Sequence, residues 1–135
     1  MKTTTTFIDD YEFRAVNETG NAVDIDMYKP EAKQSMSPTE LLLSALAACA
    51  SVDLVQMLKK RRKTVNALTV DADGTRRDEN PRSFTHITLT FKLTSPDVSL
   101  EEFEKMGHLA ATKYCSVAGT LNSEMDHQFE LTRPE

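Results

Sequence analysis

The sequence predicts an α+β fold with the element order βββ-α-ββ-α-β, and three observations carry that prediction. Short β-rich segments divided by turn residues open the chain. Ser37-Pro38-Thr39-Glu40 then starts a long apolar helix with a capping box. Two alternating strands follow, and Ser99-Leu100-Glu101-Glu102 repeats the capping signature before a second, shorter helix. At 135 residues the chain has the length of one domain, so residues 1–135 are expected to share one core.

Taken in order, TTTFI (4–8), EFRAV (12–16) and VDIDM (23–27) are rich in β-branched and aromatic residues. Asp9-Asp10 and the run from Asn17 to Asn21 supply the turns of a three-stranded meander. In the helix start, Ser37 is the N-cap, Pro38 sits where a missing N–H costs nothing, and Glu40 reaches back to the cap. The helix is expected to run to Lys63, and its closing cations, Lys59 to Lys63, suit the negative end of the helix dipole. Leu68, Val70 and Ala72 alternate in the next strand, as do Ile87, Leu89, Phe91 and Leu93 in its partner, with Arg76 to Arg82 as the connection. The second helix carries Phe103, Met106, Leu109 and Ala110 on one face and ends near Lys113-Tyr114. CSVAGTLNS reads as a tight turn or a short helix beginning after Cys115, and HQFELT (127–132) is the last strand.

The first helix is apolar nearly all round, and one sheet covers only one face of a helix. A second copy of the chain would cover the rest, which predicts a homodimer with Leu41 to Leu58 at its centre.

Composition narrows the function. A formal charge of −5 leaves no electrostatic footprint for nucleic acid or an anionic membrane. No uninterrupted apolar run approaches the roughly 20 residues of a membrane span. The first residues, MKTTTTFIDDYEF, lack the apolar stretch of a signal peptide, so a cytoplasmic, reducing location is expected. His86, His108 and His127 are scattered without zinc-ligand spacing, and no phosphate-binding glycine motif occurs, so no cofactor or metal is expected.

The chemistry therefore rests on two cysteines. Cys49 lies in the apolar helix among Ala45, Ala47, Ala48, Ala50 and Ser51, small neighbours that leave room for a close-packed helix or a substrate. A buried, unpaired Cys behaves as a small hydrophobe, which is the alternative reading. Cys115 stands at a helix-to-turn junction, where the N–H groups of a following turn favour a thiolate. A bridge between the two needs Cα atoms about 4.4–6.8 Å apart, a condition that spacing along the chain leaves open.

PTELLLSALAAC, with Asp53 four residues beyond Cys49, and KYCSVAGTL far downstream together resemble the OsmC/Ohr family of thiol-dependent peroxidases, and more closely its OsmC-like branch. The resemblance covers nearly the whole chain, element order included. It implies an intertwined homodimer with two sites at the subunit interface, in which Cys49 matches the peroxidatic cysteine and Cys115 the resolving one. It implies an organic hydroperoxide as substrate and an external dithiol of lipoyl type, free or on a lipoylated protein, as reductant. The family pattern adds an Arg from the N-terminal strands and a Glu directly after the Pro. Arg14 is the sole Arg before the helix; Thr39 occupies the Glu position and Glu40 follows it by one residue.

On an ideal helix Glu40 lies about 180° around and roughly 13.5 Å along from Cys49, so it reaches that sulfur only across a dimer. Asp53 lies one turn after Cys49 and about 40° around, in an otherwise apolar stretch. A carboxylate there needs a partner, and the expectation is that Asp53 with Arg14, from either subunit, stands in for the family's Arg–Glu pair. The same residues also fit a non-catalytic, redox-responsive or small-ligand-binding dimer, or a structural dimer with inert core thiols.

Overall fold

β1 (Thr3–Asp9), β2 (Glu12–Asn17) and β3 (Ala22–Asp26) pair antiparallel in the order β1-β2-β3, the meander expected from their turn residues. The computed structural model describes all residues Met1–Glu135, and these fall into two compact units, Met1–Leu42 and Leu43–Glu135. In the first unit the β2–β3 turn is built on Asn17, whose side-chain oxygen accepts from the backbone N–H of Thr19 (3.1 Å) and Asn21 (2.9 Å). Every residue of β1 is exposed, Phe7 and Ile8 included.

Asp26 ends β3 and pins the segment that follows. Its buried carboxylate meets the Lys33 ammonium at 2.7 Å and accepts from the backbone N–H of Gln34 (2.9 Å) and Ser35 (2.7 Å). Burial pushes the acid up, but the bonds from Lys33, Gln34 and Ser35 outweigh it and hold it at about 2. Beyond a 3-10 turn (Pro30–Ala32), the capping box at Ser37 forms as the sequence requires. Glu40 accepts from the Ser37 N–H (2.9 Å) and hydroxyl (2.8 Å), and the Ser37 oxygen accepts from the Glu40 N–H (3.2 Å).

The helix it opens, α1 (Pro38–Lys60), stops three residues short of the expected Lys63. The Lys63 N–H returns to the Leu58 carbonyl (3.0 Å) and that of Arg62 to Lys59 (2.9 Å), the paired bonds of a Schellman ending. Such an ending requires left-handed backbone, which Arg62 adopts with φ 59°, a position where residues other than glycine lose roughly 1–2 kcal/mol.

In the second unit β4 (Ala67–Arg76) and β5 (Phe84–Thr94) form the expected hairpin, with Val70 opposite Phe91. β6 (Glu124–Thr132) begins three residues earlier than expected and lies parallel to β5, with Phe129 opposite Phe91. A parallel neighbour needs a crossover, which α2 (Leu100–Leu109), a π-helical turn (Ala110–Tyr114) and α3 (Ser116–Thr120) provide. Ser99 caps α2, accepting from the Glu102 N–H at 3.1 Å.

The core of this unit joins Ile87, Leu89, Phe91 and Leu93 of β5, Phe103 and Met106 of α2, and a stripe of α1. That stripe is Leu46, Ala50, Leu54 and Leu58, four residues at helical i+4 spacing and all fully buried. The rest of the helix is less covered: Leu42 is 37% exposed and Val52 59%. The apolar-all-round helix thus has one face covered within the chain. Despite its two acids, α1 is long and apolar enough, by length and composition alone, to cross a membrane, which the absence of an unbroken apolar run did not reveal. Here its inner face is part of the protein core.

α2 approaches the sheet where Gly107 faces the Phe129 ring, and a Cβ at Gly107 would drive into that ring. Phe129 is fixed in turn by stacking on Phe91 (centroids 5.2 Å) and an edge contact with Phe103 (5.1 Å). Gly107→Ala gains helix propensity of about 0.8–1 kcal/mol but overpacks by about 1–3 kcal/mol. The expected outcome is a net loss of stability in a urea melt, relieved when Phe129→Leu is added; an unchanged midpoint in the single variant would contradict this packing.

Candidate functional site

The covered stripe of α1 positions the cysteines. From Leu46 to Ala50 the helix completes one turn, and Cys49 sits at the flank of that turn, half-buried between the covered stripe and the exposed face. Cys115 comes to the same turn from the other side. It follows the π-helical turn and caps α3, and only 4% of its surface is exposed. Its thiol donates to the Leu46 carbonyl (3.9 Å) and its sulfur accepts the Ala118 N–H (3.4 Å). Cys49 is its neighbour, close enough for the two thiols to perturb each other, and both are free.

These contacts set the protonation of Cys115. Burial pushes its thiol above the ordinary range, the Ala118 N–H pulls it down, and the Cys49 sulfur raises it again; the net direction is up. The turn N–H expected to favour a thiolate is present, but burial outweighs it. Cys115 is therefore a neutral thiol with its donor and acceptor capacity both engaged. Cys49 is the less buried residue of the two.

The remaining candidates are placed separately. Arg14, on β2, lies opposite Asp24 on β3 and bonds both its carboxylate oxygens (2.6 and 3.3 Å) on an exposed face. Glu40 belongs to the capping box, where the Ser37 N–H and hydroxyl hold its carboxyl below the usual range. Both residues lie in the first unit, each bonded to a local partner. Asp53 is half-buried on α1, one turn beyond Cys49, and forms no ion pair or hydrogen bond with a side chain of the chain.

Two features were not read from the sequence. The π-helical turn at Ala110–Tyr114 delivers Cys115 to the helix, where an unbroken α-helix was expected. His108 and His127, far apart in the chain, meet edge to face (centroids 5.4 Å), and the buried Nε2 of His127 has no partner. Burial and His108 hold His127 below the ordinary histidine range against the pull of Asp126. No cluster of three or more His, Cys, Asp or Glu forms a metal site.

A thiol of the long central helix paired with one that caps α3, in an α+β fold of this order, defines a class, and residues 31–130 match the OsmC-like protein family. The chain belongs to that family. It is 34% identical over 118 residues to protein YhfA of Escherichia coli (strain K12), covering 86% of this chain and 88% of that protein. Its fold is that of an OsmC-like protein from Mycoplasma pneumoniae (TM-score 0.82, 21% identity, 99% and 96% of the two chains). It is also that of the organic hydroperoxide resistance protein OhrB of Bacillus subtilis (TM-score 0.64, 19% identity, 97% and 98%).

The raised Cys115 thiol sets a pH dependence with a definite sign. The native state keeps that proton where the unfolded chain has released it, so stability is full below about pH 8.5 and falls as pH rises through the folded value. Urea midpoints are expected to decline above that pH in the parent chain and to decline less steeply in Cys115→Ala, where the raised Tyr28 and Lys92 still contribute. Iodoacetamide mapping at lower pH is expected to label Cys49 first and Cys115 at least about tenfold more slowly. Equal labelling rates would contradict the burial argument.

Proposed function

We propose that the chain is a thiol-dependent peroxidase that reduces organic hydroperoxides to alcohols. The observation that supports this reading is the asymmetric pair: a half-buried Cys49 beside a buried Cys115 whose thiol is held protonated. In the reaction, Cys49 as thiolate attacks the outer peroxide oxygen, the O–O bond breaks, and the alkoxide leaves as an alcohol after taking a proton. Cys49 becomes a sulfenic acid. The Cys115 sulfur then attacks it, water leaves, and a disulfide forms. An external dithiol returns two electrons and two protons by exchange, restoring both thiols. The raised Cys115 thiol suits the second step and not the first, because a neutral thiol is a poor nucleophile toward peroxide yet gives up its proton once the sulfenate is at hand.

The exposed face of α1, with Val52 and Leu42, supports a homodimer in which a second copy covers it. In that assembly Asp53, unpartnered within the chain, meets a cation of the other subunit, and Arg14 is the candidate. The second reading, a redox-responsive or ligand-holding module, is favoured by one observation: Glu40 is committed to capping Ser37 and Thr39 follows the proline.

Stopped-flow mixing with cumene hydroperoxide separates the two. The peroxidase reading expects rapid loss of both thiols in the parent chain and loss of peroxide reactivity in Cys49→Ser. In Cys115→Ser it expects Cys49 to over-oxidise to sulfinic acid, seen by mass. Oxidation no faster than that of free cysteine would leave the module reading in its place.

A further inference from the structure

We propose that His127, beneath His108, is a proton-operated latch that holds α2 against β6 and, through the π-helical turn, keeps Cys115 out of solvent. The latch stands apart from the peroxidase reading, since it needs no oxidation of either thiol. α2 rests on β6 where Gly107 meets the Phe129 ring and Phe103 meets its edge (centroids 5.1 Å). Those contacts are apolar and indifferent to pH. The remaining contact is not, because there His108 stands against His127 (5.4 Å) as well as Phe129 (4.9 Å). The Nε2 of His127 is buried with no hydrogen-bond partner. A neutral imidazole can keep its single proton on Nδ1, but an imidazolium carries N–H on both nitrogens. Protonation therefore puts a donor and a charge into a space that offers no acceptor.

Nothing around the ring offsets that charge. From α2 the facing group is His108, itself a base, which adds only like charge; Glu104 and Lys105, a turn earlier, are exposed. From β5 the residue opposite is Leu89, and the β6 neighbours on the same face are Met125 and Phe129. Asp126 favours the charged form, but it belongs to the other face of the sheet, where it bonds His86 (2.8 Å) beside Glu124. Burial and His108 outweigh it and hold His127 below the ordinary histidine range. A released chain takes up this proton from about pH 6.5 downward, while the closed one resists it. The latch is thus shut above that pH, and its contribution is lost as pH falls toward the value of the closed state. Connectivity sets what it releases. The His108 carbonyl accepts from the Thr112 hydroxyl (2.6 Å), inside the π-helical turn that starts at Ala110 and leads directly into Cys115. Cys115 is held by weak sulfur hydrogen bonds, to the Leu46 carbonyl and from the Ala118 N–H, and by packing. A displacement that begins at His108 therefore reaches a thiol that is lightly held.

The test takes the full reduced chain from about pH 7.5 to about pH 5.5 and follows hydrogen exchange, corrected for intrinsic rates. In parallel, 4,4′-dithiodipyridine labelling of Cys115 is scored against Cys49 at each pH. Protection of α2 and the π-helical turn is expected to fall about tenfold, while β4, β5 and the inner stripe of α1 keep theirs. The Cys115:Cys49 labelling ratio should rise by a similar factor. His127→Leu, which fills the site with a group that takes no proton, is expected to hold both readouts flat. His108→Asn, which removes the like charge and part of the cover, should move the transition to higher pH. His86→Gln, on the other face, should leave it in place. Asp24, Asp26, Glu40 and Asp97, all held low in the native state, take their protons below this window. No response in the parent chain, a loss of protection shared by the whole chain, a response that persists in His127→Leu, or one abolished by His86→Gln would overturn the latch. Should His127→Leu fail to fold, His108→Asn decides, and an unmoved transition there overturns it.

Discussion

The burial of one stripe of α1 is the constraint on which the rest depends. Leu46, Ala50, Leu54 and Leu58 are fully buried with β5 and α2, and this fixes the rotation of the helix about its own axis. Once that rotation is set, Cys49 has one place to be, at the edge of the covered face, and the Leu46 carbonyl is presented to whatever packs beside it. Cys115 packs there. A helix rotated by one residue, about 100°, would carry Cys49 away from this position and bring Ala48 or Ala50 in its stead. The chemistry of the pair is thus a consequence of core packing, and a core substitution in the stripe acts on the thiols as well as on stability.

How much of this was legible in the sequence depends on range. The meander, the capping box at Ser37, the Ser99 cap and the alternation of Ile87, Leu89, Phe91 and Leu93 rest on residues within a few positions of one another, and they formed as read; the Glu102 half of the second box did not, because its carboxylate goes to Arg61. The parallel seating of β6 on β5 did not follow from any local pattern, because a strand's alternation is the same in either direction. Nor did the helix ending at Lys60: the signal sought there is glycine, and Arg62 occupies the left-handed position instead. The cysteines show the limit most clearly. Their spacing left the meeting of the sulfurs open, and only the resemblance of PTELLLSALAAC and KYCSVAGTL to a known family brought them together on paper.

The same contrast separates the supporting residues. Glu40 was legible as a cap because Ser37 stands three residues before it, and the cap is what the structure holds. Arg14 satisfies Asp24 across a two-strand ladder, a pairing present in the register once β2 and β3 are aligned. Asp53 has no such local answer. A carboxylate on the flank of an apolar helix, one turn from a half-buried cysteine, is costly to leave unpaired in any assembly that buries it. In the proposed dimer it marks the side of α1 on which a cation of the second copy is expected.

Covering and leaving open are distributed along α1 in a way that orders the events of the proposed cycle. Its inner stripe is closed by the sheet, which keeps Cys115 protonated and out of solvent. Its outer face is apolar where Leu42 and Val52 stand, suited to a second copy of the chain and to an apolar hydroperoxide. Its last residues are cationic and stay wet, because burying several like charges costs more than any packing they could make. On the peroxidase reading, a helix closed on one side and open on the other admits a substrate to Cys49 without displacing the packing that holds the sulfurs together.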